Sequence, residues 1–196
     1  YNIGKDYIMK HFYTTVEGWL HPSQKTLYTN QVKQAKDKAH FVEVGSWKGK
    51  SGSYMAVEII NREKNIKFDA VDTWLGASEH QKNKSVKDGT LYDEFLHNTK
   101  SVNHIINPIQ MASVEASKLY EDNSLDFVFI DAGHEYEFVK EDIEHWLPKI
   151  RENGIIAGDD YDTRAWGREC HPGVKKAVDE LLPKAIIDRV TWIYRK

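Results

Sequence analysis

Six side chains in this sequence could act together on a polar ligand: Glu43, Asp72, Asp131, His134, Asp159 and Asp160. Each of the five acids stands at, or just past, the end of a short apolar run, at 41–44, 68–71, 125–130 and 154–158. Surface acids would be scattered over helix faces, so four acid-tipped runs ask for a chemical reason. Asp72 is placed to accept hydrogen bonds from both hydroxyls of a ribose, or to cap a helix. Asp131, Asp159 and Asp160 converge if their strands are neighbours. Three carboxylates in one place repel unless a cation neutralises them, and all-oxygen ligation suits Mg2+ or another hard divalent cation such as Ca2+. The competing reading gives Asp159 and Asp160 only a turn to shape. His134 follows Asp131 by three residues and can reach the same strand end, as a general base or as a ring bonded to loop backbone.

The stretch that must position Glu43 is Phe41-Val-Glu-Val-Gly45-Ser46-Trp47-Lys48-Gly49-Lys50-Ser51-Gly52. Apolar residues run into glycines and then into a helical pattern over 51–62, which reads as strand, turn and helix. Glycine lets a ligand approach the backbone, and the helix start offers unpaired N–H groups. The dinucleotide fingerprint G-x-G-x-x-G is absent. The phosphate loop G-x-x-x-x-G-K-[ST] is one residue short between Gly45 and Gly49, leaving a nucleotide-binding protein that uses Lys50 and Ser51 as a second hypothesis. The third pattern, E-x-G-x-x-x-G, suits a ligand with hydroxyls or an ammonium group.

The remaining elements follow in βα order. Residues 4–38 are mostly helical in pattern, broken at His21-Pro22-Ser23, with Tyr7, Ile8, Phe12 and Val16 at helical spacing for docking on the domain. Strands are expected at 41–44, 68–72, 105–110, 125–131 and 154–158, and a hairpin at 185–188 and 190–194. Helices are expected at 51–62, 91–102, 113–119, 135–152 and 174–182, with Phe138, Ile143, Trp146, Leu147 and Ile150 on the apolar side of the fourth. Pro108 suggests an edge strand. The polar segment 73–103 reads as a substrate lid or a surface loop. The run 125–131 is apolar on both faces, as in a buried parallel sheet. Alternating strands and helices imply an α/β, doubly wound sheet with ligands beyond the carboxyl ends of its strands.

The whole sequence of 196 residues suits one domain, residues 39–196, with residues 1–38 as a helical segment packed on it. Hydrophobic residues make up 40% and charged residues 29%, an ordinary globular balance. A net charge of −3 gives no basic footprint for nucleic acid. No apolar run approaches the roughly 20 residues that cross a membrane, and the first residues lack the apolar core of a signal peptide. The single cysteine, Cys170, excludes an internal disulfide and suggests a reducing, cytoplasmic setting. It reads as a packing residue, as His171 before Pro172-Gly173 reads as structural and Arg164 and Arg168 as solvated.

Together, Glu43-Val-Gly45-Ser-Trp-Lys-Gly49, Val71-Asp72, Phe129-Ile-Asp131-Ala-Gly-His134 and Gly158-Asp159-Asp160-Tyr161 resemble the class I S-adenosylmethionine-dependent methyltransferases. More narrowly, the chain resembles the macrolide sugar O-methyltransferase group and its short relatives, over about residues 40–195. The resemblance implies a Rossmann-like, mostly parallel seven-stranded sheet with the last strand antiparallel. It places Glu43, Gly45, Ser46 and Gly49 around the methionine part of S-adenosylmethionine, Asp72 on the ribose, and Trp74 and Ser113 near the adenine, with Ser51 a further cofactor-binding residue. Acids matching Asp131, Asp159 and Asp160 hold Mg2+ in metal-dependent members of that family. Met111-Ala112 precede Ser113 where the family often carries an acid, and the N-terminal region is short for the sugar enzymes. The expected activity is metal-assisted O-methylation of a hydroxylated small molecule such as a sugar, with His134 as base if no metal takes part. A homo-oligomer is left open.

Overall fold

In the computed structural model, which describes residues 8–77, 80–162 and 171–196, alternating residues of each strand divide between two cores. The elements are α1 (Pro22–Gln34), β1 (Ala39–Val44), α2 (Lys50–Asn61), β2 (Ile66–Asp72), α3 (Lys84–Lys87), α4 (Leu91–Thr99), β3 (Ile106–Gln110) and α5 (Ser113–Ser117). They continue with β4 (Leu125–Ile130), α6 (Tyr136–Trp146), β5 (Ile150–Gly158), α7 (Pro172–Leu181), β6 (Ile186–Asp188) and β7 (Thr191–Arg195). Phe41, Phe127 and Phe129 point to one face, where Leu27, Tyr28 and Val32 of α1 join α2 and α4. Val42, Val44, Val128 and Ile130 point to the other, against α5, α6 and α7. The period of two in the strands thus sets the three layers.

The seven strands run in the order β3-β2-β1-β4-β5-β7-β6. β3, β2, β1, β4 and β5 are parallel, and β7 lies antiparallel between β5 and β6. This is the doubly wound sheet with an antiparallel last strand that the sequence implied. β3, with Pro108, stands at the edge. The reversal of direction about β1 and β4 makes a crevice at their carboxyl ends. Paired Ile130 and Gly158 close β4 and β5, so Asp131 and Asp159 leave the sheet side by side.

Four sequence expectations need correction. The helix expected over 135–152 ends at Trp146, because Pro148 cannot continue it and 147–149 tightens to a 3-10 turn. Asn153 and Gly154 then fall inside β5 instead of ending a helix. His21-Pro22 is a helix start: Pro22 takes the first turn and the His21 ring accepts from the Ser23 N–H. The segment 73–103 is not one lid, since Trp74, Leu91, Phe95 and Val102 are buried in the core, while Thr73, Gly76, Ala77 and His80 border the crevice. Tyr7, Arg164, Arg168 and Cys170 lie outside the described residues.

The N-terminal helix reaches the crevice directly. The Tyr28 hydroxyl donates to Glu43 at 2.8 Å, and both groups are buried. Tyr28→Phe removes a donor from a buried carboxylate and should cost about 1–3 kcal/mol of stability. Urea unfolding checks this, and an unchanged midpoint would mean that the bond adds nothing.

Candidate active site

Gly45 ends β1 with a φ of 89° and touches the end of β4 so closely that a Cβ there would lie 2.0 Å from the Asp131 carbonyl oxygen. No side chain fits, which is why glycine stands here. Two cavities open on either side of this contact and share Gly45, Trp47, His80, Asp131 and Ala132.

The larger cavity, about 530 Å3, is bordered by Asp72, Met111, Ser113, Phe138 and Asp142, among others. That volume is within the range that holds drug-sized or nucleoside-sized ligands. Each Asp72 oxygen accepts one backbone N–H, Oδ2 from Trp47 and Oδ1 from Trp74, both at 2.8 Å. Burial raises its pKa, and these N–H bonds work against that rise. Ser113 Oγ donates to Asp142 and accepts from Trp146 Nε1 at 2.9 Å.

The smaller cavity, about 330 Å3, is lined by Ser46, Lys50, Ser51, Asp131, His134, Asp159, Asp160 and His171, with the indoles of Trp19 and Trp47 also on its border and the His80 ring against both of them. Carboxylate oxygens of Asp131, Asp159 and Asp160 lie within 4.8 Å of one another. Burial first, then the charges of Asp159 and Asp160, push the Asp131 pKa well up. Like charges this close favour a bound cation or a retained proton. His134 Nε2 sits 3.1 Å from Asp160 Oδ2. Three oxygen donors fit a hard divalent cation, which any of the three acids could help to hold.

Three of the anticipated ligand residues stand away from the cavities. Glu43 is buried beneath the loop and accepts from Tyr28 and from Ser46 Oγ at 3.0 Å, so it braces the loop from behind. Burial raises its pKa, with these hydrogen bonds opposing. Gly49 caps α2 at a φ of 88°, and a Cβ there would meet Thr99 at 2.6 Å, so it serves the packing of α4. Trp74 is 3% exposed, packs against Tyr92 and Phe95, and donates from Nε1 to the Trp47 carbonyl at 2.8 Å. Gly45, Ser46, Ser51, Asp72, Ser113, Asp131, His134, Asp159 and Asp160 do border the cavities.

Sequence reading passed over four contributors. Phe138, expected in the core, is 53% exposed and walls the larger cavity, because α6 begins at Tyr136 and Val139 takes the inward position. His171 enters the smaller cavity, its ring 4.0 Å from that of His134. Trp19 comes from the N-terminal segment, whose pattern suggested only docking. Asp142 falls in mid-helix, where its spacing from the apolar residues was the only signal.

The comparisons with known proteins bear on the family and the fold. The family described as a methyltransferase domain matches residues 42–161. The O-methyltransferase NovP superposes with a TM-score of 0.64 at 15% identity, covering 88% of this chain and 79% of that one. An O-methyltransferase from Bacillus cereus in complex with SAH gives 0.60 at 15%, covering 92% and 83%. CalS11, a TDP-rhamnose 3'-O-methyltransferase, gives 0.59 at 15%, covering 88% and 77%. Among curated sequences, an uncharacterized protein of Acanthamoeba polyphaga mimivirus is 28% identical over 149 residues, 74% of this chain and 62% of its own length. Another, of Sinorhizobium fredii, is 26% identical over 161 residues, 80% of this chain but 16% of its own. The chain thus spans less than two thirds of the length of either curated relative. This chain therefore belongs to the family described as a methyltransferase domain, and it shares its fold with the O-methyltransferases just named.

Asp142 supplies a pH test of the larger cavity. Burial is the largest influence and raises its pKa to about 6, against the hydrogen bond from Ser113. A carboxyl whose pKa is higher in the fold than in the unfolded chain makes stability fall as pH rises from about 4 to about 6. Asp142→Asn should flatten that fall by about 2–3 kcal/mol, at about 1.4 kcal/mol for each pKa unit. Denaturant unfolding at several pH values compares the two proteins, and parallel curves would leave Asp142 out of the titration.

Proposed function

We propose that this chain moves the methyl group of S-adenosylmethionine to a hydroxyl of a small molecule such as a sugar, assisted by a divalent cation at Asp131, Asp159 and Asp160. The observation that carries this is the meeting of two cavities at Gly45 and Asp131. One is nucleoside-sized with Asp72 on its rim, and the other has carboxylates, imidazoles and two indole walls. The larger suits the cofactor, with Asp72 toward the ribose and Ser113, Met111 and Phe138 toward the adenine. The smaller suits the acceptor, whose ring would lie against the indoles of Trp19 and Trp47 that border it. The cytoplasm is the proposed setting, and among the described residues no helix is long and apolar enough to cross a membrane.

When bound, the cofactor supplies a methyl on a positively charged sulfur, and the cation lowers the pKa of the acceptor hydroxyl. The protein's own part would be to hold the acceptor hydroxyl in line with the methyl group that the cofactor supplies, from two cavities that both border on Gly45 and Asp131. His134 would take the proton that the hydroxyl gives up as the methyl group passes from sulfur to oxygen. Asp160, 3.1 Å from the His134 ring, orients it and steadies the imidazolium. That same pair favours a second reading, transfer without metal and with His134 as base. Gly49, packed on α4, leaves the short phosphate-loop reading without a cradle for phosphate.

Asp159→Ala and Asp160→Ala should keep S-adenosylhomocysteine binding and lose methyl transfer to a hydroxylated acceptor. EDTA should have the same effect on the wild type, and Mg2+ should restore it there alone. Activity that survives thorough chelation would leave the metal-free reading. Asp72→Ala should weaken S-adenosylhomocysteine by about 1–3 kcal/mol, the range for buried polar groups left unmet. Calorimetry reads this, and equal affinity would take Asp72 off the ribose.

A further inference from the structure

His134, Asp160 and His171 form a second donor set, distinct in chemistry from the three carboxylates beside it. Their ligand atoms also lie within 4.8 Å of one another, and Asp160 is common to both sets. The chain brings the two rings together by a specific local device. Pro172 opens α7, and Gly173 packs against the backbone after His134 so closely that a Cβ would lie 2.5 Å from the His134 carbonyl oxygen. His171, one residue before the helix, is thereby carried to a ring separation of 4.0 Å from His134. The planes meet at 38°, so the rings neither stack flat nor turn edge-on. His134 is already 3.1 Å from Asp160 through Nε2.

We propose that His134, Asp160 and His171 bind a divalent first-row transition ion such as Zn2+ or Co2+. Two imidazole nitrogens and one carboxylate make a borderline donor set, which such ions take over Mg2+. Mg2+ keeps to oxygen ligands and near-ideal octahedral geometry, so it suits the neighbouring carboxylates instead. The inference goes beyond the methyl-transfer reading and does not require it, because its test reads ion binding in the free protein.

Calorimetry with Co2+ and with Mg2+ tests it on the wild type, His171→Ala and His104→Ala. The last removes an exposed imidazole away from the site and controls for the other histidines. The wild type should bind Co2+, His171→Ala should bind it about tenfold more weakly or worse, and His104→Ala should match the wild type. Mg2+ binding should be the same in all three proteins. Equal Co2+ affinity in His171→Ala, or an equal loss in His104→Ala, would overturn the proposal. X-ray absorption of the wild type carrying one equivalent of Zn2+ needs no variant and no folded mutant. Imidazole scattering from two rings supports the site, and an all-oxygen shell overturns it. Failure of methyl transfer in any of these proteins would count against the proposed function alone.

Discussion

The structure turns on one steric constraint, the contact of the Gly45 backbone with the backbone of Asp131. The Gly45 N–H donates to Val71 and the Asp131 N–H to Val44, both at 2.8 Å, so the ends of three strands are pinned within one hydrogen-bond network. Because no side chain stands between them, the two backbones touch, and both cavities are bordered by Gly45 and Asp131. A Cβ would force the strand ends apart and strain a positive φ at the same time. The positions of Asp72 and Asp131 follow from that junction, since each is attached within a residue or two of a pinned strand end, and the pairing of Ile130 with Gly158 sets Asp159 beside them.

Beneath the junction, the N-terminal segment acts as a brace. Tyr28 of α1 holds Glu43, and Glu43 holds Ser46, so a helix that never touches the larger cavity fixes the loop that borders both. Ser23, at the start of α1, bonds Thr191 at 2.7 Å, and Thr191 donates to Asp159 at 3.5 Å. Lys48 joins the same support, paired with Glu17 at 2.7 Å and Glu94 at 3.1 Å. Its ammonium is consumed by these contacts instead of facing a ligand.

Electrostatics then separate the roles of the acids. Glu43, Asp72 and Asp142 all have raised pKa values with burial as the leading cause, yet each is satisfied by hydrogen bonds from the protein. Asp131 differs, because two other carboxylates add to the effect of burial. The first group costs stability only through desolvation. The second is an arrangement of like charges, which a cation or a proton relieves.

The sequence by itself determined the order of strands and helices, the faces of the strands and the convergence of acids at their carboxyl ends. Those features depend on local periodicity and on the right-handed βαβ connection, which a single chain encodes in short windows. Pro148 was equally local, yet the apolar period carried the expected helix past it to 152. Only the tertiary structure decided which residues face the crevice. Trp74 and Phe138 are both aromatic and both near strand ends. A rotation of α6 turns Phe138 outward, and Tyr92 and Phe95 on α4 draw Trp74 inward. Glu43 could have met a ligand until Tyr28, fifteen residues earlier, occupied it. His171 joined His134 because a glycine allowed two distant backbones to touch. Contacts between residues far apart in sequence carry no periodicity, so the packed fold alone distinguishes a ligand-facing side chain from a brace.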